Sequence, residues 1–194
     1  MNMHNLKLIN LEDIPELLNL DNDEKKFIYF IYFSNKDLKK EITLNLNSEK
    51  CQVFLKGAIY LYGDSKCSLK VNVTHNKGNN KARVHIKTVL DSNSKFNFEG
   101  MIKIAEHSHL SDSYLKQENL IVSEDAVCNT SPQLEIKADQ VKASHGATIG
   151  GFNSDHLFYL KSRGIEEKQA KIILEEAFLI SVFKGKISKL PFNL

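Results

Sequence analysis

Tryptophan is absent from the 194 residues, and cysteine is nearly so. Without a Cys…Trp…Cys pattern the chain carries no immunoglobulin-type signature. Cys51, Cys67 and Cys128 are an odd, widely spaced set. That excludes a disulfide framework and fits a reducing cytosol, with each thiol packing as a small hydrophobe. No C-x-x-C pair is present, so spacing alone offers no self-contained zinc or cluster site. Charge of one sign is not in excess. Lys and Arg number 26 against 24 Asp and Glu, a net charge of +2, which gives no reason to expect a nucleic-acid binder. No apolar run approaches the roughly 20 residues of a membrane span. The opening MNMHNLKLINLEDIPEL lacks a basic stretch leading into an apolar one, so no secretory signal is expected and the location reads as cytoplasmic. Also missing are G-x-S-x-G, H-E-x-x-H and the P-loop pattern.

What is present is ordinary globular composition, 42% hydrophobic and 26% charged, enough for one sizeable domain. Residues 1–25 read as a mixed, polar lead-in in which Pro15 allows one short helical turn at most. Phe27 to Phe33, a dense aromatic and β-branched run, predicts a strand buried on both faces. From residue 41 to about 145 apolar residues alternate with polar ones. Ile42, Leu44 and Leu46 begin the series, and Val53 and Leu55 follow. It continues through Leu69, Val71 and Val73, Val84 and Ile86, Phe96 and Phe98, and Ile102 and Ile104. Leu120 and Val122 come next, then Leu134 and Ile136. Alternation of period two puts one face in and one face out. Turn signals are read at Gly57, Gly63-Asp64, Lys77 to Asn80, Asp91 to Ser94 and Gly100. Many short strands at this spacing predict an all-β sandwich, barrel or solenoid. No crisp repeat selects the solenoid, and periodicity leaves the architecture open.

The last 40 residues change period. Asn153 or Ser154 can cap a helix with Asp155 in its first turn, Leu157, Phe158 and Leu160 give it an apolar side, and Gly164 ends it. A second helix is predicted from Glu166-Glu167. Ala170, Ile173, Leu174, Ala177, Phe178 and Ser181 fall on one stripe, and Ile172, Leu179, Ile180 and Phe183 fall off it. Apolar cover on several faces exceeds what a helix with one wet face needs. It predicts deep burial or, as the favoured reading, a surface kept for a partner.

Four places carry residues of chemical interest. Gly146 to Gly151 is glycine-rich but is not G-x-G-x-x-G, and reads as a tight turn between strand and helix. His107 and His109, with Asp112 nearby, share a face if the segment is a strand, and could then hold a metal; otherwise they sit in a solvated turn. Cys128, placed between strands, is a ligand or a packed hydrophobe. His145 follows a strand and precedes Gly146, which lets another backbone approach closely.

The ordered stretches Phe98-Glu-Gly100 with Ile102, Asp112 to Ser123, Thr130-Ser-Pro-Gln-Leu-Glu-Ile136, Val141 to Gly150 and Phe158 to Ile165 resemble, at the expected spacing, the C-terminal core of the SufB/SufD family. Those proteins are scaffold subunits of the SUF iron–sulfur cluster assembly system. The match covers roughly residues 96–183. The resemblance implies a right-handed parallel β-helix followed by two α-helices. It divides the chain into a lead-in at 1–25, a β-helix core at 26–150 and a C-terminal helical segment at 151–194. It further implies that this last segment binds a SufC-like ATPase, with Phe158, Tyr159, Arg163 and Phe178 as contacts. A SufB-like subunit, or a second copy of the chain, would pair along the edge carrying Leu134, Ile136, Val141 and His145. Within the family the chain resembles SufD. Gly146 stands where SufB places a glutamate, Ala126 where SufB carries a key cysteine, and His145 matches the histidine that SufD contributes at the junction. Ala143 stands where the SufD-like pattern often has a cysteine. No tightly bound cofactor is expected in the isolated chain; transient iron or an iron–sulfur cluster at a subunit interface, with His145 and Cys128 as candidate ligands, is what the resemblance implies. The chain is also shorter than typical members.

Three readings are carried forward: a non-enzymatic assembly scaffold, a structural homodimer without cluster function, and a β-helix enzyme acting on polysaccharide. For the third, no convincing pair of carboxylates is visible.

Overall fold

The computed structural model describes residues 7–187 and 189–191. The chain winds through about five turns of a parallel β-solenoid and ends in two helices. Among the described residues eleven strands alternate between two sheets. The first sheet has the order β1-β3-β5-β7-β9-β11, formed by Leu8–Asn10, Lys25–Ser34, Gln52–Leu61, Lys81–Leu90, Asp112–Ile121 and Lys142–Gly150. The second has the order β10-β8-β6-β4-β2, formed by Val127–Ile136, Lys95–Ile104, Lys66–His75, Leu38–Leu46 and Leu17–Leu20. Every neighbouring pair is parallel. The links between strands of one sheet are crossovers of the kind for which a right hand is the rule.

Register shows the repeat that the letters conceal. Lys25 pairs with Gln52, Gln52 with Lys81, Lys81 with Asp112, and Asp112 with Lys142, so one coil takes roughly 30 residues. Two residues before each of these strands the backbone turns left-handed, at Asp23, Lys50, Asn79, Leu110 and Gln140. The repeat is therefore one of conformation, carried by five different side chains, none of them glycine.

Alternation places one row of each strand inside. Stacked inner positions form ladders such as Ile42–Val71–Gly100 and Leu44–Val73–Ile102, and most of these side chains are fully buried. Two predicted turns are instead strand interior. Gly57 lies within β5 because the Phe30 ring fills the space a Cβ would need, 1.9 Å away, and Gly100 lies within β8 with the Leu115 side chain 2.7 Å from that point. The turns at Gly63-Asp64, Lys77–Asn80 and Asp91–Ser94 are present, with Gly63, Asn79 and Ser92 at positive φ. Residues 7–24 of the polar lead-in hold two strands, and β3 begins at Lys25. Leu11, at the start of a single 3-10 turn, and Ile14 fill the interior of the first coil.

A second apolar cluster lies outside the solenoid. Helix α2, Glu167–Ile180, and the 3-10 turn after it lie over β5 and β7 of the first sheet. Tyr29, Ala58, Tyr60, Val89 and Leu120 meet Leu179, Val182 and Phe183 there. This explains the burial of β3 on both faces, which holds for its middle; Phe27 and Phe33 at its ends are exposed. Leu120 and Val122, predicted to continue the inner row, belong to this outer cluster. The helix expected to await a partner is thus partly covered by its own sheet, with Ala170, Glu175 and Leu179 buried. Helix α1, Ser154–Ser162, is capped by the Asn153 side chain, which accepts from the backbone N–H groups of Asp155 and His156, and it has no buried residue. Gly164 ends it at φ +84.

Candidate functional site

The C-terminal end of the solenoid is unfinished. Among the described residues β10 and β11 each have one neighbour, so the outward backbone N–H and C=O groups of both strands face away from the fold. Unpaired edges of this kind are templates for another strand. Pro132, which removes one donor, is tolerated because β10 is an edge. Side chains on the last coil are correspondingly open. Cys128, Leu134, Val141 and Ala143 are only partly buried against the core, and Ile136 and Ile149 are exposed.

His145 stands out by its ladder. Inner positions Ile28, Leu55, Val84 and Leu115 stack in register, all aliphatic and all buried, and the next member is His145, which is exposed. The stretch predicted as a turn, Gly146 to Gly151, is strand as far as Gly150. The imidazole is therefore held by β-structure on both sides. A Cβ at Gly146 would meet only the Tyr114 hydroxyl, 3.5 Å away, so this position has room for an approaching chain. Beneath the last coil the interior turns polar. Gln117 pairs with Asn119 through their side-chain amides, Gln117 reaches Thr88 Oγ1 at 3.4 Å, and Asn119 donates to the Thr148 carbonyl at 3.1 Å. These buried amides sit on the inner row of β9, where the sequence reading saw only alternation.

The structure brings Cys128, Leu134, Ile136, Val141 and His145 to the same coil. It does not bring Cys128 to His145. Pro132 pairs with Gly100 and His145 with Leu115, and Gly100 faces Leu115 across the interior, so Pro132 is the residue opposite His145. Cys128 is four residues away along β10, about 13 Å at strand rise. It lies inside β10, beside Phe96, rather than between strands. Burial pushes its thiol up to about 12, which favours the neutral thiol. His107 and His109 lie in a turn, not a strand. His109 Nδ1 is 2.9 Å from the Asp139 carbonyl, while Asp112 is engaged by Arg83 and Lys81. Among the described residues no three His, Cys, Asp or Glu side chains converge to hold a metal ion.

The helix pair presents a second surface. Phe158 is 75% and Tyr159 57% exposed on α1, with the Arg163 guanidinium 5.3 Å from the Tyr159 ring centre. Phe178 is half-buried on α2, with Lys87 4.4 Å from its ring centre. A groove of about 280 Å³ runs between the end of β11 and the helices, bordered by Ile149, Phe152, Leu174 and Phe178. It joins the helix surface to the open edge.

Sequence reading missed the charged outer face of the first sheet. His85 Nε2 lies 2.6 Å from Glu118, with Lys116 at 3.0 Å and Lys87 at 3.6 Å from the same carboxylate. Burial alone would raise the Glu118 pKa, but the bonds from His85 and Lys116 and the charge of Lys87 hold it below the usual range. Only register could have revealed this cluster, since residues 85–87 and 116–118 are a full coil apart. Among the described residues no helix is long and apolar enough to cross a membrane.

Comparison with known proteins agrees with this geometry. Residues 19–178 match the family described as "SUF system FeS cluster assembly, SufBD core domain". Over 159 residues the chain is 32% identical to the iron–sulfur cluster assembly protein SufD of Escherichia coli K12, covering 82% of this chain and 38% of that one. It is 35% identical over 115 residues to a SufBD-family iron–sulfur cluster assembly protein of Synechocystis, covering 59% of this chain and 24% of the relative. A chloroplastic Arabidopsis thaliana protein, ABCI7, is 30% identical over 109 residues, covering 56% of this chain and 23% of its own. The chain thus spans well under half the length of these relatives. With the family matched over most of its residues, the chain belongs to the SufB/SufD family of SUF iron–sulfur cluster assembly proteins and is SufD-like.

Proposed function

We propose that this chain is a non-enzymatic scaffold subunit of a cytosolic SUF-type assembly complex. It pairs through the β10 and β11 edges with a SufB-like subunit, or with a second copy of itself, and docks a SufC-like ATPase through the exposed face of α1. The observation that carries the reading is the unfinished last coil. Its two sheet edges have no strand partner among the described residues, and its inner aliphatic ladder ends in an exposed imidazole. A neutral imidazole ligates iron and also hydrogen-bonds well across an interface. His145 supplies one such group, and the remaining ligands to transient iron or a cluster come from the partner, in keeping with the finding that no set of three converges among the described residues. Cys128 then serves packing, not ligation. The three free thiols fit a reducing compartment.

Size-exclusion chromatography of this chain with the SUF ATPase and SufB of the same cell tests the reading. A ternary complex is expected. Phe158→Ala with Tyr159→Ala removes the ATPase and keeps SufB, whereas His145→Ala leaves the complex intact and lowers iron retained at the junction. A chain that ignores both partners would overturn the proposal and favour the purely structural homodimer.

A further inference from the structure

Away from the open coil, one carboxyl group is buried where a helix meets a sheet. Glu175, in the middle of α2, is 6% exposed. Among the described residues its hydrogen-bond partner is the Tyr60 hydroxyl on β5, which donates at 3.3 Å. The charged groups around it give little support to an anion. Asp91, just after β7, is a second acid. Lys171, one turn back on α2, pairs with Glu167 at 3.0 Å. Lys87 of β7 is turned to Glu118, Ser181 and the Phe178 ring. Among the described residues no cation forms an ion pair with Glu175. A carboxylate buried at an interface beside a hydroxyl donor and a neighbouring acid favours its neutral form. Burial, and next the charge of Asp91, raise its pKa to about 7 against the pull of the Tyr60 bond and Lys171.

The rest of the helical segment has the build of a movable arm. α1 packs chiefly on α2 and buries no residue of its own. Beyond α2, Val182 and Phe183 are fully buried, and Lys186 Nζ donates to the Tyr29 hydroxyl at 2.7 Å, so that end is pinned to the sheet.

We propose that docking of α2 on the first sheet is proton-linked. The helix pair lies closed on β5 and β7 while Glu175 carries its proton, and swings from the pinned C-terminal end when the proton leaves. The exposed Phe158 and Tyr159 surface is thus mounted on an arm whose position responds to the local proton activity. This concerns the chain alone and holds whichever partner binds, so its failure and the failure of the scaffold reading are separable.

Hydrogen exchange of the full chain at pH 6 and pH 8, corrected for intrinsic exchange rates, tests it. The opening constant of α2 amides should rise about tenfold between the two, the change for one proton lost near pH 7. Amides of β6 and β8, on the far sheet, should not change. Glu175→Gln keeps a partner for Tyr60 and should abolish the rise. Tyr60→Phe removes the hydrogen bond but keeps the burial, and should preserve the rise. Protection of α2 that is flat with pH in the native chain, or a Gln variant with the same rise, would overturn the proposal.

Discussion

The first coil buries Leu11, Ile14, Leu18 and Leu20 to 9% exposure or less, whereas the last coil leaves Ile136 at 43% and Ile149 at 47%. Both coils end a stack of parallel strands, and both have apolar residues on the inner row. At the N-terminal end a 3-10 turn folds its own apolar side chains inward. At the C-terminal end the chain leaves through β11 to the helices, which lie over the outer face and not over the opening. Burial contributes roughly 25 cal/mol per Å² of apolar surface. The first coil collects that stabilisation on folding, and the last coil leaves much of it uncollected. The difference separates residues that hold the fold from residues that are available for an interface.

The largest expected effect lies in the closed coils. Phe98 is fully buried on the inner row of β8, between Leu69 and Thr130 in register. Phe98→Ala should cost about 3–5 kcal/mol, because neighbouring coils cannot collapse into the space. Leu134→Ala on the last coil, half-buried, should cost less than about 1.5 kcal/mol. Urea unfolding at constant slope measures both. Equal costs would mean that the last coil is as tightly packed as the rest.

Next in size is a pH effect with two opposed parts. His75 is fully buried on the inner row of β6, neither ring nitrogen has a hydrogen-bond partner among the described residues, and burial pulls its pKa down to about 4. Unfolded, it would bind a proton near its ordinary 6.5. Its contribution is therefore complete above about pH 6.5 and is lost as pH falls toward 4, on the order of 3 kcal/mol in all. Glu175 has the opposite sign. Its raised folded pKa means stability present below its ordinary 4.5 and lost as pH rises to about 7. Between pH 4.5 and 6.5 the two slopes oppose each other. His75→Leu, which completes a ladder with Leu46 and Ile104, should leave a stability that falls with rising pH. Glu175→Gln should leave one that rises with it. Unfolding curves at pH 4.5 and 6.5 for the two variants check the signs.

Much of the fold was legible. Alternation marked most of the strands and inner rows, though it put Leu120 and Val122 on the wrong face and passed over β1 and β2, and Asn153 and Gly164 marked the ends of α1 correctly. The solenoid itself was not legible from residues alone. Its repeating feature is a left-handed turn residue two positions before each strand of the first sheet from β3 onward, and Asp, Lys, Asn, Leu and Gln share no chemistry that would announce it. Gly57 and Gly100 were misread as turns because a glycine that admits a neighbouring ring or side chain looks the same in one dimension as one that turns the chain. His145 was visible only as a lone histidine. Its place at the end of an aliphatic ladder depends on pairing with residues a full coil away. The covered face of α2 was hidden for the same reason, since Tyr60 and Glu175 lie 115 residues apart.

The two glycine environments sharpen the comparison of ends. Gly57→Ala would place a Cβ 1.9 Å from Phe30 Cζ, inside a packed ring, and should destabilise by about 1–3 kcal/mol. Gly146→Ala meets only the tip of Tyr114 and should leave unfolding unchanged within about 0.5 kcal/mol. If Gly146→Ala nevertheless weakens association with a partner, the space beside His145 is being used by an approaching chain.

The smallest effect on stability should belong to the exposed aliphatic groups of the open coil, and there a small number is informative. Ile136 and Ile149 lose little on unfolding because they are already near water. Ile136→Ser and Ile149→Ser should each change stability by no more than about 0.5 kcal/mol. In a paired assembly the same side chains would be removed from solvent, and truncating them would then cost affinity, not folding. Two measurements on one protein separate these possibilities: unfolding of the isolated chain, and its elution with a SufB-like subunit. Unchanged unfolding with lost co-elution identifies the last coil as a surface completed by another chain. A clear loss of stability in the isolated chain would show that this coil packs against itself, and would move the site of association elsewhere on the molecule.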